Sequence, residues 1–257
     1  RRVCDGQDVS RIVHLAAQAG VRHSFDNPQA YLSSNLVGFG HVLELARLHR
    51  TSHLVYASSS SVYGGQDQLP YTTASRIDRP LSLYAATKGA NELMAYAYAR
   101  LYQLPMTGLR LFTVYGPWGR PDMAYFTFTR RILSGEPIDV FNHGNLSRDF
   151  TYVDDVIRGL AKVLDGPPTM DTQGVPHALY NLGLGQPIGL MDFIGAIEAA
   201  LGQKANINFV AMQPGDMAQT WADTEALRRD HGYSPSTSLE EGIAKFIGWD
   251  RTFYGAS

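Results

Sequence analysis

The alternation of strand-like and helix-like segments constrains this chain more than any other feature. Residues 12–15 (Ile-Val-His-Leu) form a short β-rich run, residues 35–49 carry apolar positions at helical spacing, and residues 53–57 (His-Leu-Val-Tyr-Ala) return to the β pattern. Asn27 followed by Pro28 offers an N-cap and a first-turn proline, so a helix is expected to begin there. A further helix is expected over residues 84–102, with Leu93, Ala97 and Leu101 on one face, and residues 107–112 follow as a strand. Strands separated by helices cannot be joined by tight hairpins, so they must pair in parallel through right-handed crossovers. The pattern therefore predicts an α/β fold: a doubly wound, Rossmann-like parallel sheet over residues 1–115. Beyond Tyr115 the text changes to Gly, Pro and short mixed segments, which sets off a smaller α/β lobe over residues 116–257, some of it returning to the sheet. Within that lobe Ser238-Leu239-Glu240-Glu241 is a capping-box pattern opening a closing helix over residues 239–253.

Composition removes several classes of function. Twenty-two Lys and Arg against 24 Asp and Glu leave a net charge of −2, which gives nucleic acid or an anionic membrane no electrostatic footprint. The most apolar long window, residues 36–46, is interrupted by His41 and Glu44 and falls short of the ~20 residues a membrane span requires. A single cysteine, Cys4, excludes an intramolecular disulfide framework and points to a reducing, cytoplasmic setting. Eight histidines include His49 and His53 four apart, but Arg50-Thr51-Ser52 reads as a helix end and turn, and no third ligand is evident; no metal site is expected. The partners left are small molecules. The chain opens on Arg1-Arg2-Val3-Cys4 without an initiator methionine or signal-peptide pattern, as expected of a sequence that starts inside a longer one.

Chemistry is suggested by two neighbouring motifs. Tyr84 and Lys88 lie four residues apart, on one face of a helix, where a cation can lower a phenol's pKa and fit it to act as a general base. Such a pair is common by chance, and taken alone a surface Tyr and Lys on a helix explains it better; context must decide. The context is the hydroxyl run Ser58-Ser59-Ser60-Ser61 directly after the strand at residues 53–57. Ligands of doubly wound sheets bind beyond the carboxyl ends of the strands, so these hydroxyls are placed to meet a substrate alcohol.

Taken together, Ser59, Tyr84 and Lys88, the run His14-Leu15-Ala16-Ala17-Gln18-Ala19-Gly20-Val21-Arg22, Tyr115-Gly116-Pro117, and Arg148-Asp149-Phe150-Thr151-Tyr152-Val153-Asp154-Asp155 resemble the extended short-chain dehydrogenase/reductase superfamily. Within it the chain looks most like the nucleotide-sugar epimerases of the NAD-dependent epimerase/dehydratase family that act on UDP-glucuronate. The resemblance implies NAD as cofactor, a UDP-sugar as substrate and a homodimer built on the helices near Asn35 and Tyr84. It implies cofactor contacts at Leu15, Ala16, Ala17, Gln18, Asn35, Ser58, Tyr84, Lys88, Phe112 and Val114, and catalytic roles for Ser59, Tyr84 and Lys88. Substrate contacts are implied at Ser59, Ser60, Ser61, Thr113, Arg120, Val140, Phe141, Asn142, Arg148 and Asp216, the last in the loop Gln213-Pro214-Gly215-Asp216.

Two features narrow the implied reaction to 4-epimerisation of UDP-glucuronate through a 4-keto sugar. Where related dehydratases and decarboxylases tend to carry acidic residues, Ser60 and Ser61 are neutral hydroxyls. Arg120 resembles the residue that pairs with a uronate carboxylate, a task suited to a guanidinium fork. A UDP-glucose 4-epimerase stays open as an alternative. So does a non-catalytic nucleotide-sugar-binding fragment, because the glycine-rich cofactor turn that opens this fold is not among these residues. The run Gly183-Leu184-Gly185-Gln186-Pro187-Ile188-Gly189 is a decoy for that turn: Ile188 stands where a glycine is wanted and Pro187 removes an amide donor. It is expected to be a loop of the second lobe.

Overall fold

Four strands, Arg11–His14, His53–Ser59, Met106–Leu111 and His177–Leu182, lie side by side in that order, and every pairing is parallel. The computed structural model describes residues 6–212 and 217–255. His53–Ser59 is buried along its whole length, which explains why it reads as a continuous run instead of an alternation. Gly108 sits opposite Tyr56; a Cβ there would come within 2.6 Å of the Tyr56 hydroxyl and of Leu179, so only glycine lets that ring cross the sheet.

The helices begin where their caps dictate. The Asn27 side chain accepts the Ala30 amide, and Pro28–Tyr31, a π-helical segment Leu32–Val37 and Gly38–His49 then follow without a break. The helix expected from residue 35 and the one expected from Asn27-Pro28 are thus a single helical run with one wide turn in it. The Ser82 hydroxyl caps Leu83–Tyr102 by accepting the Ala85 amide at 3.1 Å. That helix buries Ala85, Thr87, Lys88, Asn91, Glu92, Ala95 and Ala99. Leu93, Ala97 and Leu101 share a face, as their spacing predicts, but it is the outer face: Leu93 and Leu101 are each 71% exposed. Small residues turn inward because the helix backbone lies close to the sheet, and the polar ones because they have partners there.

The chain divides into two units. The first runs to Leu111 and takes in Arg158–Leu182 and Asp223–Tyr233; the second comprises Phe112–Ile157, Gly183–Ala222 and the residues from Ser234 onward. The core of the second unit is aromatic, with Tyr115, Tyr125, Phe126, Phe150, Phe193 and Phe246 buried and the rings of Phe150 and Phe193 stacked at 3.9 Å. Its strands are short. Thr113–Tyr115 pairs with Phe150–Tyr152, Pro137–Phe141 with Asn206–Val210, and Ser147–Arg148 lies between Gln219–Thr220 and Ile188–Gly189. The capping box works as its sequence suggests: the Ser238 hydroxyl accepts the Glu241 amide and opens the helix Leu239–Tyr254.

Candidate active site

In the first unit the candidate residues gather at the carboxyl ends of the strands. Lys88 is buried, and its Nζ donates to the Ala57 carbonyl at 2.7 Å, which ties the helix Leu83–Tyr102 to the end of His53–Ser59. Burial lowers the Lys88 pKa to about 8. Tyr84, one turn earlier and half-buried, sets its ring edge-on against Tyr31 at 6.1 Å. Ser59 ends the strand, and its Oγ accepts the Ser61 amide at 3.2 Å, so Ser59 caps the 3-10 turn Ser60–Tyr63. Ser60 and Ser61 lie half-buried in that turn. Gly64 closes it at a φ of +62°, where a Cβ would collide with the Arg79 carbonyl.

The edge strand leads into the Leu15–Gln18 loop, with Leu15 and Ala16 exposed and Ala17 and Gln18 half-buried. Asn35 fixes this loop. Its Oδ1 accepts the Gln18 amide at 2.9 Å, and its Nδ2 donates to the Gln18 carbonyl and to the Thr87 hydroxyl, both at 3.0 Å. Asn35 lies in the wide turn Leu32–Val37, and its carbonyl accepts the Asn91 side chain at 2.7 Å. Asn35 therefore acts on the loop through its side chain and on the Tyr84–Lys88 helix through both ends.

Ser58 differs from its neighbour. Successive side chains of a strand point to opposite faces, and the buried Ser58 hydroxyl donates to Glu92 Oε1 at 2.6 Å. Its assignment as a cofactor contact is replaced, for the side chain, by this internal bond. Glu92 also receives both prongs of Arg110, Nε at 2.9 Å and Nη2 at 2.7 Å, and each side chain is only 3% exposed. Burial opposes the charge on Arg110, but the bonds to Glu92 outweigh it and hold the guanidinium pKa above its ordinary value. Arg110 Nη1 reaches the Tyr63 hydroxyl, which in turn donates to Asn181 Oδ1.

In the second unit Phe112 is buried, while Thr113 and Val114 are half-buried, the Thr113 amide donating to the Asp149 carbonyl. Arg120 forms a two-pronged pair with Asp122, at 2.9 and 2.6 Å, on the exposed turn. Val140 is completely buried in the core, so its side chain is closed to a ligand, whereas Phe141 and Asn142 follow it half-buried, Asn142 with a φ of +50° and its amide donating to the Asn145 carbonyl. Arg148 is half-buried; its Nη1 donates to the carbonyls of Ser147 and Ala218. Asp216 and its loop neighbours lie outside the described residues. The decoy glycine run has its own employment: the amides of Leu184 and Gly185 donate to the buried carboxylate of Asp149, at 2.6 and 3.0 Å, together with the Ala222 amide at 3.1 Å and the Thr151 hydroxyl at 2.8 Å. Amides committed to a carboxylate do not cradle a phosphate.

The sequence pattern did not single out Tyr31, whose hydroxyl donates to the carbonyls of Ala19 and Gly20, nor Thr87, Asn91, Glu92 and Arg110. One signal was available: Glu92 follows Lys88 by four residues and so shares its face. His14, the last residue of the edge strand, was also passed over; its ring stacks on Phe39 at 5.5 Å, and burial, with the Lys88 charge second, lowers its pKa.

With this geometry in hand, comparison with known proteins is informative. The sequence matches the model of the NAD dependent epimerase/dehydratase family over residues 1–183. It is 47% identical over 250 residues to the probable UDP-glucuronate 4-epimerase of Rhizobium meliloti (strain 1021), covering 93% of this chain and 73% of that relative. The structure superposes on the UDP-glucuronic acid 4-epimerase of Bacillus cereus, solved with UDP-glucuronic acid and NAD, with a TM-score of 0.88 and 31% identity, over 98% of this chain and 78% of that one. It superposes equally, with a TM-score of 0.89, on the UDP-glucose 4-epimerase of Thermotoga maritima solved with UDP-glucose, at 26% identity over 98% of this chain and 81% of the other.

Proposed function

The chain belongs to the NAD-dependent epimerase/dehydratase family, and we propose that, as an NAD-dependent UDP-sugar 4-epimerase, it interconverts UDP-glucuronate and UDP-galacturonate. The observation that carries the choice of sugar is sequence likeness at equal structural likeness: the uronate enzyme is matched at 31% and the neutral-sugar enzyme at 26%, with TM-scores of 0.88 and 0.89. The neutral hydroxyls of Ser60 and Ser61 support epimerisation over elimination or loss of CO2, because no carboxyl group stands there to handle a second proton.

The residues of the first unit suit NAD. An ammonium has three hydrogen-bond donors, and among the described residues Lys88 spends one, on Ala57; the others are available to ribose hydroxyls beside the exposed apolar pair Leu15 and Ala16. When bound, NAD supplies a reversible two-electron oxidant for C4 of the sugar. Tyr84 takes the C4 hydroxyl proton as a phenolate and returns it at the end, with the Lys88 charge favouring the ionised phenol. Ser59 donates a hydrogen bond to the same oxygen. Arg148 holds the diphosphate, Phe141 and Asn142 the uridine, and the loop that carries Asp216 closes on the nucleotide, while the 4-keto sugar turns over to present its other face. With a carboxylate on C5 that sugar is a β-keto acid, prone to lose CO2. Arg120, Thr113 and the hydroxyls of Ser59 to Ser61 restrain the carboxylate; for Arg120 this means exchanging Asp122 for the substrate's carboxylate, as a guanidinium fork readily does.

Proton NMR of the protein with NAD and a mixture of UDP-glucuronate and UDP-glucose tests the proposal. UDP-galacturonate signal alone is expected; UDP-galactose alone would transfer the assignment to the neutral sugar, and neither, with UDP still bound, to a binding fragment. Arg120→Ala is expected to weaken turnover of the uronate selectively or to release CO2, and unchanged uronate kinetics would remove Arg120 from the account.

We assign the enzyme to the cytoplasm as a homodimer. Among the described residues no helix is long and apolar enough to cross a membrane. The helical run Pro28–His49 and the helix Leu83–Tyr102 of the first unit leave Val37, Leu48, Leu93, Leu101 and Tyr102 exposed, large apolar side chains of the kind a second copy covers. Leu93→Glu with Leu101→Glu is expected to halve the mass measured by light scattering.

A further inference from the structure

One step below the strand tips, the sheet of the first unit carries a polar row where apolar side chains would serve stability better. Ser58, Arg110 and Asn181 occupy one register position across three adjacent strands, Ser58 opposite Arg110 and Arg110 opposite Asn181. Glu92 reaches the row from the helix that carries Tyr84 and Lys88, accepting Ser58 Oγ and both prongs of Arg110. Tyr63, from the turn that Ser59 caps, closes it by accepting Arg110 Nη1 and donating to Asn181. Asn181 Nδ2 then donates to the carbonyls of Tyr71 and Asp223. Every member is buried. A buried ion pair recovers its desolvation cost only with good geometry and further hydrogen bonds, and matched apolar residues are often the more stable choice. Fold stability alone therefore does not account for this arrangement.

What the row does is visible in what it joins. Helix and strand end are tied at two successive residues, Lys88 to the Ala57 carbonyl and Glu92 to the Ser58 hydroxyl. The next residue is Ser59, and the turn it caps is held from below through Tyr63. We propose that Glu92, acting through Ser58 and Arg110, is a positioning residue that fixes Ser59 and its turn relative to Tyr84 and Lys88. The proposal rests on the reading of those three residues as the groups at the reacting sugar. Placing such groups is where precision matters: a displacement of about 1 Å costs on the order of 100-fold in rate. Glu92 touches neither substrate nor cofactor in this role.

The test compares four proteins, the wild type, Ser58→Ala, Ser58→Thr and the double variant Glu92→Met with Arg110→Met, in kcat, KM, thermal midpoint and amide hydrogen exchange of residues 60–63. Ser58→Ala is expected to lower kcat by about 10- to 100-fold with KM for UDP-glucuronate within twofold, and Ser58→Thr, which keeps the hydroxyl, to restore it. The double variant is expected to melt at or above the wild-type temperature and yet to share the low kcat, an outcome a purely structural role would not give. In Ser58→Ala, exchange of the turn amides is expected to rise at least tenfold while the rest of the sheet is unchanged. Wild-type kcat in both Ser58→Ala and the double variant overturns the proposal. If the double variant fails to fold, Ser58→Ala decides by itself, since it removes one hydroxyl and leaves the ion pair. Hydrogen exchange needs no turnover, so unchanged turn protection overturns the positioning role even if the wild type acts on no UDP-sugar, which is the separate failure of the functional reading.

Discussion

Each unit of this protein buries a carboxylate beneath its candidate site, and the two are satisfied in opposite ways. Glu92 is matched by side chains, a guanidinium and a hydroxyl brought from 18 and 34 residues away. Asp149 is matched chiefly by peptide, the amides of Leu184, Gly185 and Ala222, with the Thr151 hydroxyl added. The first arrangement depends on which residues are present; the second depends on where the backbone runs. A side-chain match can be exchanged for another of the same shape. A backbone match has no second residue to exchange, and it holds only while three separate segments keep their path.

That contrast can be broken by measurement, and the largest effect belongs to Asp149. Asp149→Ala leaves the buried Ala222 amide and the part-buried amides of Leu184 and Gly185 without this acceptor, at about 1–3 kcal/mol for a buried donor, so a loss of about 3 kcal/mol or more is expected in urea unfolding. All three tryptophans, Trp118, Trp221 and Trp249, lie in the second unit, so their fluorescence reports it directly. Next, Glu92→Gln strands the buried Arg110 and is expected to cost about 3 kcal/mol, recovered when Arg110→Met accompanies Glu92→Met. Failure of that recovery, or a single second-site change that restores Asp149→Ala, would erase the distinction between the units.

Acid sharpens it. In the first unit burial holds His177 down to about 4, and lowers His53 and His14 in the same direction. Folded pKa values below the unfolded one near 6.5 mean that the stability they contribute is full above pH 6.5 and is lost as pH falls toward 4, up to about 3 kcal/mol for His177. Asp149 has the opposite sign: burial raises its pKa, so its share is full below the unfolded carboxylate value and is lost as pH rises through the folded one. Between pH 6.5 and 4 the far-UV ellipticity of the whole chain should therefore change before the tryptophan emission does, and His177→Gln should bring the two together. On the alkaline side, turnover is expected to fall above a pKa of about 8 as Lys88 loses its charge, and Lys88→Arg should remove that inflection. The smallest effect is at Arg120 and Asp122, an exposed pair worth well under 1 kcal/mol; Asp122→Asn should leave the melting temperature in place.

The first unit was the more legible of the two, for the same reason. Strand runs, crossovers and the cap at Asn27 are local, and each is written in a few consecutive residues. Tyr84 and Lys88 announce themselves by a spacing of four. Where the reading went astray, the missing information was direction. The serine run conceals the alternation that turns Ser58 toward Glu92 and leaves Ser59 at the tip, and the alternation of exposed and buried positions that turns the Val140 side chain inward went unread. The Leu93, Ala97 and Leu101 stripe was found without its orientation, because a helix that packs closely buries small and polar residues and leaves its leucines outside. The amides that hold Asp149 belong to residues of no distinctive chemistry, and no pattern of side chains marks them.

The wide turn at Leu32–Val37 bears on how this protein can change. A π turn holds one residue more than the α-helix it interrupts, and a deletion of Ser33 or Ser34 would be absorbed without breaking the helix. Because the extra residue is taken up within the wide turn, Tyr31 would keep its rotation about the helix axis, whereas the same deletion in the α-helical stretch after it would turn Tyr31 by about 100° and carry its hydroxyl away from Ala19 and Gly20. The shorter helix would be the more regular one, and its lineage would keep the latch on the loop in front of it.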